Sequence, residues 1–274
     1  MAIQEEPHQH FWRPLLAEAM GTLIFVWVVL GASTPGGPPE RTPPPVLQPA
    51  LAAGLAAVGL AHCFREISGA QANPALTMAF LCTRKLGALR AGGYILAQCL
   101  GAILASGIFY LVLPAVGTGH LVTRVSSESN AGQALGMEVL STFQLTFTIF
   151  AVEDQRRREV GELGSLAIGF SVTAGALAGT FSGGSMNPAR SLGPAVVTGI
   201  WEHHWVYWLG PTLGAVLGGV TYEFLFASSA SREKLVACLT CRDIQMVEMA
   251  SASRSSLSPP GVLLPKPPSK EEQH

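Results

Sequence analysis

The chain has 274 residues, of which only 13% are charged, and a formal net charge of −1. Ordinary globular chains carry about 25% charged residues, so together with a mean hydropathy of +0.36 this composition argues against a soluble domain. The near-neutral balance gives no reason to expect a nucleic-acid partner, and the five scattered cysteines (Cys63, Cys82, Cys99, Cys238, Cys241) do not read as a disulfide framework.

Residues 1–14 are polar and are read as a cytoplasmic N-terminus without a cleavable leader, because the first apolar run already has the length of a span. A helix needs about 20 apolar residues to cross a bilayer. Six stretches qualify, near 15–33, 46–64, 88–113, 132–152, 162–180 and 204–228. The second and fifth are marginal, because Ala and Gly dilute them. The Pro- and Gly-rich run from Pro35 to Pro49 reads as an irregular outer loop. Two shorter apolar pieces, 74–82 and 188–197, each begin with Asn-Pro-Ala and are too short to span. After the last span, 229–249 carries Leu235 and Leu239 at helical spacing and predicts a cytoplasmic amphipathic segment. Beyond residue 250, Ser, Pro and charge predict a disordered tail.

The two halves resemble each other in order. Glu18-Ala-Met-Gly-Thr22 matches Glu138-Val-Leu-Ser-Thr142, and Ser68-Gly69 before Asn73-Pro74-Ala75 matches Ser182-Gly183 before Asn187-Pro188-Ala189. Leu100-Gly101-Ala102 matches Leu213-Gly214-Ala215. Three spans per half place the second copy upside down, an arrangement that puts a functional site near the midplane between interrupted helices. The expected fold is therefore an all-α membrane protein: six transmembrane helices plus two half-helices in an inverted 3+3 repeat. The channel domain is 15–228, with repeat one at 15–113 and repeat two at 132–228. Lys and Arg set the orientation. Arg65, Arg84, Lys85, Arg90 and Arg156-Arg157-Arg158 fall on one side, against Arg41, Arg124 and Arg190 on the other, which places both termini in the cytoplasm.

Asn is a favoured N-cap and Pro suits the first helical position, so each Asn-Pro-Ala marks a helix start. Two inverted half-helices would meet start to start. Their positive dipole ends would repel cations, while the amides of Asn73 and Asn187 donate to a passing oxygen. Non-helical backbone at membrane depth survives only where it is buried or lines a wet cavity.

With these motifs the chain resembles the aquaporin (major intrinsic protein) family over roughly residues 12–240. The resemblance implies a homotetramer in the lipid bilayer, each subunit an hourglass with its own pore for water. It places Asn73, Pro74, Ala75, Asn187, Pro188 and Ala189 at the central constriction and Arg190 at the outer filter. Glu18 and Glu138 become the buried glutamates that brace the pore loops. The stretch from Asn187 through Ser191 to Ala195, and the pair Tyr207-Trp208, look like the water-selective side of the family, since glycerol-passing members carry Asp where Ser191 stands. The plasma membrane is the expected location.

The filter departs from that pattern. Water-selective members pair the arginine with a Phe and a His. Those positions fall on Ala53 and on Ala176, or on Gly175 when counted back from Asn187; the remaining position falls near Gly184. Such small residues predict a widened filter that passes urea, ammonia, hydrogen peroxide or glycerol beside water, unless neighbours such as Phe64 or Phe181 refill the gap. Arg190 and the paired Asn should still reject protons and ions. No nucleophile arrangement or phosphate loop points to an enzyme, and no cofactor or metal is expected; His203 and His204 read as interfacial residues beside the aromatic belt. The other readings left open are a junction protein and a gated ion-conducting channel of the same fold.

Overall fold

The computed structural model describes residues 11–34, 46–112, 121–154 and 161–240. The first half comprises α1 (Trp12–Ala32), α2 (Leu47–Ser68), α3 (Pro74–Cys82) and α4 (Ala88–Val112). The second comprises α5 (Ala131–Glu153), α6 (Gly161–Ala178), α7 (Pro188–Thr198) and α8 (Val206–Thr221), which runs on into a π-helical turn at Tyr222–Phe226. The chain divides into two compact units, one ending at Ala230 and one beginning at Ser231. The second contains α9 (Arg232–Leu239), capped by the Ser231 hydroxyl accepting from the Lys234 N–H at 3.1 Å. This helix covers part of the amphipathic segment expected at 229–249. Its remainder with Cys241, the tail from 250, residues 1–10, most of the Pro-rich loop and Arg156-Arg157-Arg158 lie outside the described residues.

Five of the described helices are long and apolar enough to cross a membrane: α1, α2, α4, α5 and α8 with its π turn. The apolar part of α6, Leu163–Ala178, is shorter. A 3-10 turn at Thr180–Ser182 follows it. That turn also explains an uneven repeat. From Gly54 to Ser68 in the first half there is one residue more than from Gly169 to Ser182 in the second, and the larger rise of a 3-10 turn, about 2.0 Å against 1.5 Å per residue, makes up the distance.

Helix packing is unchanged when the halves are exchanged. α1 packs on α4 as α5 packs on α8, α1 on α2 as α5 on α6, and α2 meets α6 across the pseudo-two-fold. Each half-helix crosses over: α3 packs chiefly on α8, and α7 on α4. Glycine sets these approaches at equivalent places, as expected where close backbone contact rather than water expulsion holds helices together. A Cβ on Gly101 would lie 2.2 Å from the Ala19 carbonyl oxygen, and one on Gly214 2.2 Å from that of Val139. Gly54 and Gly169 face each other, each 2.6 Å from the other's carbonyl oxygen by the same construction. Large apolar side chains are instead turned outward, Leu96, Leu100 and Leu104 on α4 and Leu209, Leu213 and Leu217 on α8. Polar groups such as Glu18, Gln98 and Glu138 are buried inside while these leucines face outward, the pattern of a helix bundle solvated by lipid.

Candidate functional site

The two half-helices begin as their sequences dictate. Asn73 and Asn187 are extended N-caps with Pro at the first helical position, and their side-chain oxygens accept from the N–H of Ala75 at 2.9 Å and of Ala189 at 3.0 Å. With its oxygen held by its own helix, each amide must point its NH2 group elsewhere. Asn73 Nδ2 donates to the Met186 carbonyl at 2.8 Å, and Asn187 Nδ2 to the Ala72 carbonyl at 2.9 Å. One N–H of each amide is thus spent on the opposite loop.

The loops entering these caps repeat residue by residue. Gly69 and Gly183 have φ of 89° and 94°, Ala70 and Gly184 50° and 56°, Ala72 and Met186 45° and 52°. A left-handed Ala or Met costs of order 1–3 kcal/mol and persists only where its surroundings over-determine it. Buried carboxylates do so here. Glu18 accepts from Ser68 Oγ at 2.5 Å, from the N–H of Gln71 and Ala72 at 3.0 and 2.6 Å, and from Gln98 Nε2 at 2.8 Å. Glu138 accepts from Ser182 Oγ at 2.8 Å and from the N–H of Ser185 and Met186 at 2.9 and 2.7 Å. Hydrogen bonds to a charged group contribute about 1.5–3 kcal/mol each, so either set outweighs the strain. Tyr94 and Tyr207 complete the bracing, donating from their hydroxyls to the carbonyls of Ser68 at 3.1 Å and Ser182 at 2.8 Å. The sequence reading marked Tyr207 only as part of a water-selective pair and did not mark Tyr94, although their spacing from Leu213 and Leu100 is the same in each half.

Two cavities abut at this level, sharing Phe25, Val172, Ser185 and Met186 on their walls. One reaches from Asn73 and Asn187 to Arg65 and Glu153 and holds about 70 Å³ of space for water. The other is bordered by Ala53, Ala176, Gly184 and Arg190 and holds about 220 Å³. All four filter positions counted along the chain therefore face one space. Ala176, not Gly175, is on its wall: a Cβ on Gly175 would run into Met186 Sδ at 2.3 Å and Gln144 Nε2 at 2.8 Å. Phe64 and Phe181 are not on that wall; Phe64 instead lies beside Gly21. The aromatic that borders both cavities is Phe25, which no motif marks. Arg190 donates from Nη1 to Thr123 Oγ1, and Thr123 also accepts from Ser191 Oγ at 2.9 Å, itself 2.6 Å from Ser185 Oγ. Thr123 comes from the segment joining the halves, where the sequence gives no signal of it.

Residues 5–222 match the family described as MIP: Major intrinsic protein. Aquaporin-4 of Rattus norvegicus is 48% identical over 221 residues, covering 80% of this chain and 68% of that protein. Aquaporin-2 of Rattus norvegicus is 44% identical over 234 residues, 84% of each, and the lens fiber major intrinsic protein of Ovis aries is 45% identical over 219 residues, 78% of this chain and 81% of that one. Among solved structures, the aquaglyceroporin from Plasmodium falciparum superposes with a TM-score of 0.68 at 20% identity, covering 77% of this chain and 95% of that one.

Proposed function

Because this chain belongs to the major intrinsic protein family, we propose that it is a passive membrane channel for water, widened at its outer filter to admit small uncharged solutes. The observation that carries this is the pair of crossed amides: Asn73 and Asn187 are each held at both ends, with a cavity on either side of them. A water oxygen arriving there meets N–H donors but no matching acceptor from the same groups, while the two helix starts place partial positive charge at the same level. Arg190 adds a permanent cation at one end. This arrangement supports exclusion of protons and cations without any chemical step, and hence a transporter rather than an enzyme.

The excess of Lys and Arg on one side supports cytoplasmic termini, and the wider cavity at Arg190 is then the outer one. At Ala53, Ala176 and Gly184 that wall carries a methyl or less, beside the larger Phe25, Val172 and Met186. Pore diameter and lining donors govern which neutral molecules pass, so urea, ammonia, hydrogen peroxide and glycerol are the candidate guests. Family membership and similarity to aquaporin-4 and aquaporin-2 support a homotetramer in the plasma membrane.

The test is osmotic shrinkage of proteoliposomes under a sucrose gradient, with ion current recorded in planar bilayers. Water flux well above that of empty vesicles without ion current is expected. A current that tracks the protein would favour an ion channel, and neither signal in folded tetramers would favour a junction role.

A further inference from the structure

The pseudo-two-fold makes the differences between the two cavities informative. Ala61 on the inner wall corresponds to Ala176 on the outer, Ile168 to Ala53, and Ile149 to Val29. At the rims the chemistry diverges. The outer rim carries Ser33 and Thr180, whereas the matching positions of the inner rim carry Glu153 and Arg65. The inner cavity also holds less space for water, about 70 Å³ against about 220 Å³.

Arg65 is built into this rim. Its Nη2 donates to the Val152 carbonyl at 3.2 Å, bridging α2 to the end of α5. Opposite it α6 has Gly164, where a Cβ would stand 3.1 Å from Arg65 Nη1 and 2.5 Å from Val152 Cγ1. The charged groups acting on Glu153 are Lys85, Arg65 and Glu223. Of these, Lys85 is bound to Glu223 at 2.8 Å and lies 5.0 Å from the Phe150 ring centroid. Lys85 is thus the first charge acting on Glu153 and Arg65 the second, but of these only Arg65 stands with Glu153 on the cavity wall.

We propose that Arg65, held by the Val152 carbonyl on the wall it shares with Glu153, is a second selectivity element, and that this inner collar sets the largest uncharged solute the pore admits. The inference rests on the channel reading above. Two constrictions in series pass what the tighter one passes, so a wide outer filter shifts the size limit inward. A planar guanidinium is bulky, and the bond from its Nη2 to the Val152 carbonyl holds it at the wall.

The test is water, urea and glycerol permeability of proteoliposomes holding wild type, Arg65→Ala, Arg65→Gln and Arg65→Lys at matched tetramer content. Arg65→Ala should raise urea and glycerol permeability severalfold relative to water. Arg65→Gln, which keeps a donor for Val152 and supplies a reading if the alanine variant does not fold, should raise it less. Arg65→Lys, which keeps the charge but loses the planar guanidinium, should fall between wild type and Arg65→Ala. Unchanged solute-to-water ratios in water-conducting Arg65→Ala or Arg65→Gln protein would overturn the collar alone. Wild type without water flux would overturn the channel reading, and the collar with it.

Discussion

Asn73 and Asn187 each donate to the backbone carbonyl of the residue that precedes the other, at 2.8 Å onto Met186 and 2.9 Å onto Ala72. The tips of the half-helices therefore position one another, and neither is correct alone. Asn73→Asp keeps the cap acceptor but removes the donor and leaves the Met186 carbonyl unpaired, a loss of about 1–3 kcal/mol. Its thermal midpoint in detergent should fall and its water permeability should drop. Asn187→Asp should behave alike, because it breaks the mirror-image bond; a marked asymmetry between the two would contradict the pairing.

The glutamates offer a sharper contrast. Glu138 and Glu18 each hold their loop through three bonds, but only Glu18 accepts a fourth, from Gln98. In Glu138→Gln the charge assistance is lost at the Ser182 hydroxyl and at two N–H groups, and the new NH2 takes the place of the acceptor for at least one of those N–H groups. The expected loss is about 3 kcal/mol or more of folding stability, read as poor recovery of tetramer by size-exclusion chromatography. Equal recovery of Glu138→Gln and wild type would remove the bracing role.

Much of this architecture is legible in the sequence because its signals are local. Asn-Pro starts both half-helices where expected, and apolar length finds the long spans. The repeat motifs pair Glu18 with Glu138, and the family resemblance picks out Ala53 and Ala176, which line one cavity. What stays hidden depends on distant segments meeting. Thr123 reaches Arg190 from a connection with no motif, Phe25 reaches both cavities from an ordinary apolar helix, and Arg65 reads in sequence only as a cytoplasmic cation. The choice between Ala176 and Gly175 could not be made by counting, because a 3-10 turn takes the place of one helical residue.

Thr123 is where the filter arginine meets the connection between halves. Thr123→Val keeps the volume of the side chain and removes its hydroxyl, which Arg190 and Ser191 both use. Water flux should change little, while the urea-to-water ratio shifts as the guanidinium loses its fixed position; Thr123→Ser should restore the wild-type ratio. Identical ratios in all three proteins would show that Arg190 needs no such anchor.

His204, just before α8, is pushed below the ordinary histidine range by burial. Its neutral Nε2 accepts from Trp208 Nε1 at 3.1 Å. The folded protein therefore binds this proton less readily than the unfolded chain, so stability is full above the unfolded pKa and falls as pH drops below about 6.5 toward the folded value. Thermal midpoints between pH 7.5 and 5.5 should decline more in wild type than in His204→Gln, which keeps an acceptor without a titrating ring. Parallel declines would assign the pH effect elsewhere.

The most direct measurement is stopped-flow light scattering of proteoliposomes under sucrose and then urea gradients, comparing wild type with the double variant Ala53→Phe, Ala176→His. The account predicts that wild type passes both water and urea, and that the double variant still passes water but stops urea, because two large side chains refill the outer cavity beside Arg190. Wild type that passes water and excludes urea, or a double variant that leaves urea flux untouched, would contradict it.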